Sequence, residues 1–347
     1  MSQTALAVQR VVRGAAELWP GVLICLLAAL AAQFLSSHYG APAMLIALLL
    51  GLALQSAVRG ADRVTAGLGF AARDLLRLGV GLLGARISLE VFLSLGAEAI
   101  WLVVASILGL LAFSLVFSRL LGRGWRLAVL TGGAVSICGA SAAVAIAAVL
   151  PRREHSDRDL SFTVFSVTLL STVAMVVYPI LGAALGLPDS AMALFLGATI
   201  HDVAQVVGAG FSVSEPVGET ATTVKLIRVA MLAPFVMCLS LALPLFGAAP
   251  REGGRRPPIL PWFVVLFAAT AAAASFGVIP VSVQAMLWQG SRWLLLTAIV
   301  GVGLRTDLGG LLSMPPTALV LIFVQTLLLA AFVLIWITRW APAGAAG

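Results

Sequence analysis

Four groups of polar residues stand inside otherwise apolar stretches of this chain. The first lies in LAVLTGGAVSICGASAAVAIAAVL, residues 127–150. As a helix this stretch is about 36 Å long. Cys138 and Gly139 lie at its centre, with Thr131, Gly132, Gly133, Ser136 and Ser141 around them. A glycine costs about 1 kcal/mol in a helix interior, so the cluster predicts an unwound or broken helix. Such a break presents N–H groups and a positive dipole end, which hold anions. The same small residues would also serve close helix packing, and the spacing leaves both readings open. The second group is His201-Asp202 with Gln205, in GATIHDVAQVVGAG. On one continuous helix His201 and Gln205 would share a face. A protonatable imidazole beside a carboxylate can carry protons; a structural hydrogen-bonding cluster, or a helix end at the interface, is the plainer alternative.

The third group is Thr222-Thr223-x-Lys225-x-x-Arg228, placed at the head of a span. Lys225 is the only lysine, against twenty arginines. Lysine is a compact point charge, arginine a planar fork. On one helical face the two could bind an anion, or they could anchor the helix by snorkelling to headgroups. The fourth is Gln289-Gly290-Ser291-Arg292, flanked by Trp288 and Trp293. Arg292 would fall at mid-span and meet an anion or opposed helix ends, unless the tryptophans mark an interface belt.

The elements that must position these groups are membrane helices. Of 347 residues 61% are hydrophobic and 10% charged, against roughly 25% charged in a soluble domain. Long blocks (18–36, 41–58, 99–118, 127–150, 160–188, 229–250, 257–291 and 308–338) hold no Asp, Glu, Lys, Arg or His. About 20 such residues cross the hydrocarbon core as a helix, the form that pairs every backbone group internally. The pattern predicts about eleven spans: 18–36, 42–58, 69–88, 97–118, 127–150, 160–186, 190–211, 224–248, 260–276, 281–304 and 316–338, the last opening at Pro315-Pro316.

Arginine placement favours a cytoplasmic N-terminus and an outside C-terminus. Arg10, Arg13, Arg59, Arg63, Arg73, Arg119, Arg123, Arg126, Arg251, Arg255, Arg256 and Arg305 then lie inside. Arg86, Arg152, Arg153, Arg158 and Arg339 lie outside. The net charge of +7 is scattered between apolar blocks, unlike a nucleic-acid footprint. Cys25, Cys138 and Cys238 form no CxxC pair, which indicates neither a disulfide framework nor a zinc site. Residues 18–36 read as a span, not a cleaved signal. LLRLGVGLLG (75–84) echoes KLIRVAMLAP (225–234) five spans later, the pattern of an inverted five-helix repeat preceded by one extra helix. Under that offset, span ten would be the second crossing helix. A further echo pairs GARISL (84–89) with GLRTDL (303–308).

The segments GLLGARISL (81–89), LTGGAVSICGASAA (130–143), ATIHDVAQVVGAG (198–210), TTVKLIRVAML (222–232) and VGLRTDL (302–308) resemble the YeiH-type family of bacterial inner-membrane proteins, described as sulfate exporters. SICGAS and IHDVAQVV are its specific motifs, and the resemblance runs from about residue 20 to 338. It implies a fold of the bile-acid-symporter and sodium/proton-antiporter type. Such folds have inverted five-helix repeats and two discontinuous helices crossing at mid-membrane, span five being one. A sulfur oxyanion would suit Lys225, Arg228, Arg292 and the half-helix dipole; other small anions would suit them equally.

The reading is therefore an all-α polytopic membrane protein: a lead 1–17, a transmembrane domain 18–338 (extra helix 18–36, repeat one about 42–186, repeat two about 190–338) and a tail 339–347. It is read as a secondary transporter of a multi-pass inner membrane, exporting a small anion. Ser136, Cys138, Gly139, Ser141, Lys225, Arg228 and Arg292 would bind the anion, and His201, Asp202 and Gln205 would couple it to H+ or Na+. No cofactor, metal or nucleic acid is expected; the lipid bilayer is the setting, and a homodimer stays open. No P-loop, HExxH or GxSxG is present, which argues against ATP drive and enzymatic chemistry. A cation/proton antiporter, a channel and a membrane sensor remain the alternatives.

Overall fold

The computed structural model describes residues 3–86, 96–151, 155–243, 261–306 and 316–340. All regular elements among them are helical. In chain order these are α1 (Gln3–Tyr39), α2 (Ala43–Val58), α3 (Asp62–Phe70), a π-helical turn (Ala71–Leu75) and α4 (Leu76–Leu83), which ends in a 3-10 turn (Gly84–Arg86). Then follow α5 (Gly96–Leu120), α6 (Trp125–Ser136), α7 (Ala140–Val149), α8 (Ser156–Ala184), α9 (Asp189–Thr199) and α10 (Val203–Val213). The last are α11 (Glu215–Ala230), α12 (Leu232–Ala242), α13 (Trp262–Ser275), α14 (Val281–Arg305) and α15 (Pro316–Trp340). Arg152, Arg153, Arg251, Arg255 and Arg256 of the orientation count, the turn at Pro315 and the tail 341–347 lie outside the described residues.

Among the described residues, five stretches are long and apolar enough to cross a membrane: Ala16–Tyr39, Ala97–Leu120, Ser156–Ala184, Glu215–Ala242 and Leu319–Arg339. Others expected from the sequence are divided in space. Span five is split into α6 and α7, and span seven into α9 and α10. Span ten, expected as the second crossing helix, is instead one continuous helix of 25 residues. Span eight starts at Glu215 rather than near 224, so Lys225 sits ten residues in, about 15 Å along the helix, and not at its head.

The chain forms two compact units. The first takes Met1–Ser88 and Leu266–Asp307. Here α14 packs on α2 and α4. Gly51 and Gly303 face each other, each backbone lying where the other's Cβ would be; this close approach of small residues is how helices associate in lipid. Ser291 Oγ donates to the Gly79 carbonyl at 2.7 Å, and Arg292 reaches Gln33 Oε1 at 3.5 Å. The fourth polar group of the sequence is thus engaged within this unit. The second unit takes Leu89–Val265 and Leu308–Gly347, and it contains both split helices.

Candidate functional site

The two breaks differ in origin. Between α6 and α7 the chain turns at Gly139, with φ 57° and ψ −124°. That combination is open to glycine and strained for other residues. A Cβ here would also strike the Asp202 carboxylate. Between α9 and α10 no glycine or proline intervenes: Ile200 and Asp202 are simply extended. Asp202 holds the N-cap position of α10, where aspartate is favoured, although its carboxylate is turned to the other break. Asp202 Oδ1 accepts from the Ala140 N–H, at the start of α7, at 3.2 Å. The Thr168 hydroxyl bonds the same carboxylate. One carboxylate therefore faces the positive start of α7 while standing at the start of α10.

The opposite, negative helix ends are met by cations. Lys225 Nζ donates to the carbonyls of Ile137 and Ile200, both at 2.9 Å. Arg228 Nε donates to the Ser136 carbonyl at 2.9 Å, Nη1 to Gly197 and Ile200 at 3.2 Å each, and Nη2 to Val135 at 2.9 Å and Ser136 at 2.8 Å. Both side chains are fully buried. A guanidinium has five N–H donors, and all five are engaged. The guanidinium, read from the sequence as an anion ligand, here ties the last carbonyls of α6 to those of α9. Cations at helix C-termini are stabilising by about 0.3–2 kcal/mol each, and hydrogen bonds to charged groups by about 1.5–3 kcal/mol.

His201 and Asp202 point apart. His201 is fully buried, its Nε2 2.9 Å from Thr326 Oγ1 on α15. The Thr326 hydroxyl proton is committed to the Ile322 carbonyl at 2.9 Å, so Nε2–H donates to its lone pair. Because the chain breaks between His201 and Gln205, the shared helical face expected for them does not exist. Gln205 instead donates to Thr172 Oγ1 on α8 at 3.3 Å, and the Asp202 N–H donates to Ser171 Oγ at 3.0 Å. Thr326→Val, nearly isosteric, strips the imidazole of its acceptor. It should lower stability by about 1–3 kcal/mol, read as the thermal midpoint in detergent, with Thr326→Ser retaining most of it.

The sequence reading placed spans at α8 and α15 but missed their polar residues. Thr168, Ser171 and Thr172 lie on one face of α8. Gln325 Nε2 donates to Ser114 Oγ on α5 at 2.6 Å and to Thr131 Oγ1 on α6 at 3.0 Å. Both hydroxyls give their own protons to backbone carbonyls, which fixes the amide orientation. The signal was present: Gln325 is an amide within the uncharged block 308–338. Four buried polar atoms around this network have no protein partner, namely Ser136 Oγ, His201 Nδ1, Gln205 Oε1 and Gln325 Oε1.

Residues 20–322 match the family described as "Conserved hypothetical protein 698". The chain is 57% identical over 317 residues to UPF0324 membrane protein TauZ of Paracoccus pantotrophus, covering 91% of this chain and 94% of that one. It is 54% identical over 318 residues to UPF0324 membrane protein RB0971 of Rhizobium meliloti, covering 91% of each. A UPF0324 membrane protein of Bacillus cereus is 32% identical over 83% of this chain and 84% of its own. The chain belongs to the UPF0324 membrane-protein family. The YeiH-type resemblance read from SICGAS and IHDVAQVV is thereby shown. No solved structure matches the chain.

In this UPF0324 protein the start of α7 is open. Ser136, Cys138 and Gly139 are buried within the break, Ala140 is half-buried and Ser141 is exposed. Val144, Ala147 and Ala148 continue from Ser141 along α7 and line a cavity of about 200 Å3 bounded by Arg126, Asp157 and Asp159. Ser141, Val144 and Ala148 share a helical face, with Val144 and Ala148 lining the cavity and Ser141 lying one turn nearer the break, outside its lining. Arg292 belongs to the first unit and is not among the groups the second unit gathers.

Proposed function

We propose that this UPF0324 protein is a secondary transporter that exports a small anion across the bacterial inner membrane by alternating access. The observation that carries the reading is charge at the double break. Two buried cations, Lys225 and Arg228, stand against one carboxylate, Asp202. Opposed helix ends cancel among themselves, since each C-terminus carries about −0.5 and each N-terminus about +0.5 charge. One formal positive charge is left over in a region where unpaired charge is costly. An anion at the exposed start of α7 would balance it, held by first-turn N–H groups and the Ser141 hydroxyl.

In this reading Ser136, Cys138, Gly139 and Ser141 shape the anion site, while Lys225 and Arg228 supply its field from behind. Asp202 is the coupling carboxylate, because it lies at the start of α7, where Thr168 and Ser171 on α8 hold it; His201 and Gln205, assigned to coupling with it, bond to Thr326 and Thr172 and flank it. Sulfate or another sulfur oxyanion suits such a site, as do small organosulfonates. The proposal keeps about eleven crossings, with the two broken ones, α6–α7 and α9–α10, only two spans apart rather than the five that an inverted five-helix repeat would set between its crossing helices.

The test is flux in proteoliposomes with sulfate, sulfite, thiosulfate and small organosulfonates under imposed pH gradients. Saturable, gradient-driven anion flux is expected. Flux of cations alone, with no anion dependence, would replace the reading with a cation/proton antiporter. Asp202→Asn keeps an acceptor for the Ala140 N–H but loses the titrating group. It should cut pH-driven accumulation by about ten-fold or more, the equivalent of about 1.4 kcal/mol, while counterflow exchange persists. Unchanged accumulation in that variant would remove Asp202 from the coupling role.

A further inference from the structure

We infer that this protein carries its counter-cation built in: the Lys225 ammonium occupies a carbonyl cage that a free monovalent cation would otherwise fill, and anion movement therefore needs no sodium. The transport half of this inference rests on the function proposed above; the binding half stands on the cage alone.

Five carbonyls converge on the double break, from Val135, Ser136 and Ile137 on one side and Gly197 and Ile200 on the other. They are the unpaired acceptors of two helix C-termini, and both ends carry negative dipole charge. Half-helix C-termini and unwound carbonyls of this kind coordinate alkali cations in membrane transporters. Here side chains of α11 take every one of the five. The two that Lys225 holds, Ile137 and Ile200, are each 2.9 Å from Nζ and come from different broken helices. A compact ammonium can sit between two such oxygens, whereas a planar guanidinium cannot present that point charge. This accounts for the single lysine in a chain with twenty arginines.

The native protein and Lys225→Ala would be purified in detergent. Their unfolding midpoints would be compared in choline, sodium, ammonium and methylammonium chlorides at equal ionic strength. The native midpoint should be the same in all four salts. Lys225→Ala should lose about 5 °C or more in choline and recover most of it in ammonium or methylammonium, as mass action on an emptied site requires. Lys225→Met, which fills the stem volume without charge, should be destabilised and gain nothing from the amines. An Ala variant indifferent to amines, or a native protein stabilised by sodium over choline, overturns the cage. If Lys225→Ala cannot be purified, the native comparison decides. In proteoliposomes, native anion flux should be equal with sodium or choline outside and inside; sodium-stimulated flux overturns sodium independence. Absence of flux with every anion would instead count against the transporter reading, leaving the midpoints to judge the cage.

Discussion

Arg228→Leu should leave little folded protein, and what survives extraction should unfold at least 10 °C below the native chain. The substitution strips the carbonyls of Val135, Ser136 and Gly197 of the partners seen here; only Ile200 keeps a donor, from Lys225. Each buried acceptor left unpaired costs about 1–3 kcal/mol, and breaking a buried charged network about 3–5 kcal/mol. A native protein has only about 5–15 kcal/mol to lose. Arg228→Lys keeps the charge but not the fork that ties α6 to α9, and should fall between the two. The sequence alone predicts a different result for Arg228→Ala, namely lost anion flux with normal amounts of protein in the membrane. Fluorescence-detected size exclusion and thermal midpoints separate the two: a variant as stable as the native chain but without flux would make Arg228 a ligand rather than a brace.

Gly139→Ala should abolish flux and destabilise the second unit by about 3–5 kcal/mol, combining a strained backbone with an overfilled contact. At φ 57° and ψ −124° an alanine must either take up that strain or straighten the break. Its Cβ would meet the Asp202 carboxylate, displacing the acceptor of the Ala140 N–H. Because the carboxylate serves the other broken helix too, one methyl group disturbs both. Gly109 on α5 is the control: nothing lies within 4 Å of its added Cβ, so Gly109→Ala should be neutral or slightly stabilising. If Gly139→Ala transports at the native rate, the fixed geometry of this break is not needed for function.

Some of this arrangement was legible in residue order. The glycine-rich centre of span five suits a break as well as close packing, and α6 does end at Ser136, because glycine both weakens the helix and permits the turn. The second break was not legible. Ile200-His201-Asp202 contains no glycine or proline, and Asp202 as an N-cap is a weak signal inside an apolar run. Span ten drew attention through Arg292, yet a single arginine does not break a helix, and α14 is continuous. Gln325 and Thr326 were overlooked because an amide and a hydroxyl in a long apolar helix are individually unremarkable.

The sequence by itself determined that the chain is a bundle of apolar helices of the UPF0324 kind, since length, charge depletion and glycine content act locally and can be read along the chain. Only the tertiary structure decided what the polar groups do. The bonds that define the site join residues 88 to 93 positions apart for α11 with α6, 62 for Asp202 with Ala140 and 125 for His201 with Thr326. Helical periodicity fixes neighbours three and four residues away; it carries no record of which carbonyl a distant lysine or arginine will reach, because that is set by how the helices pack.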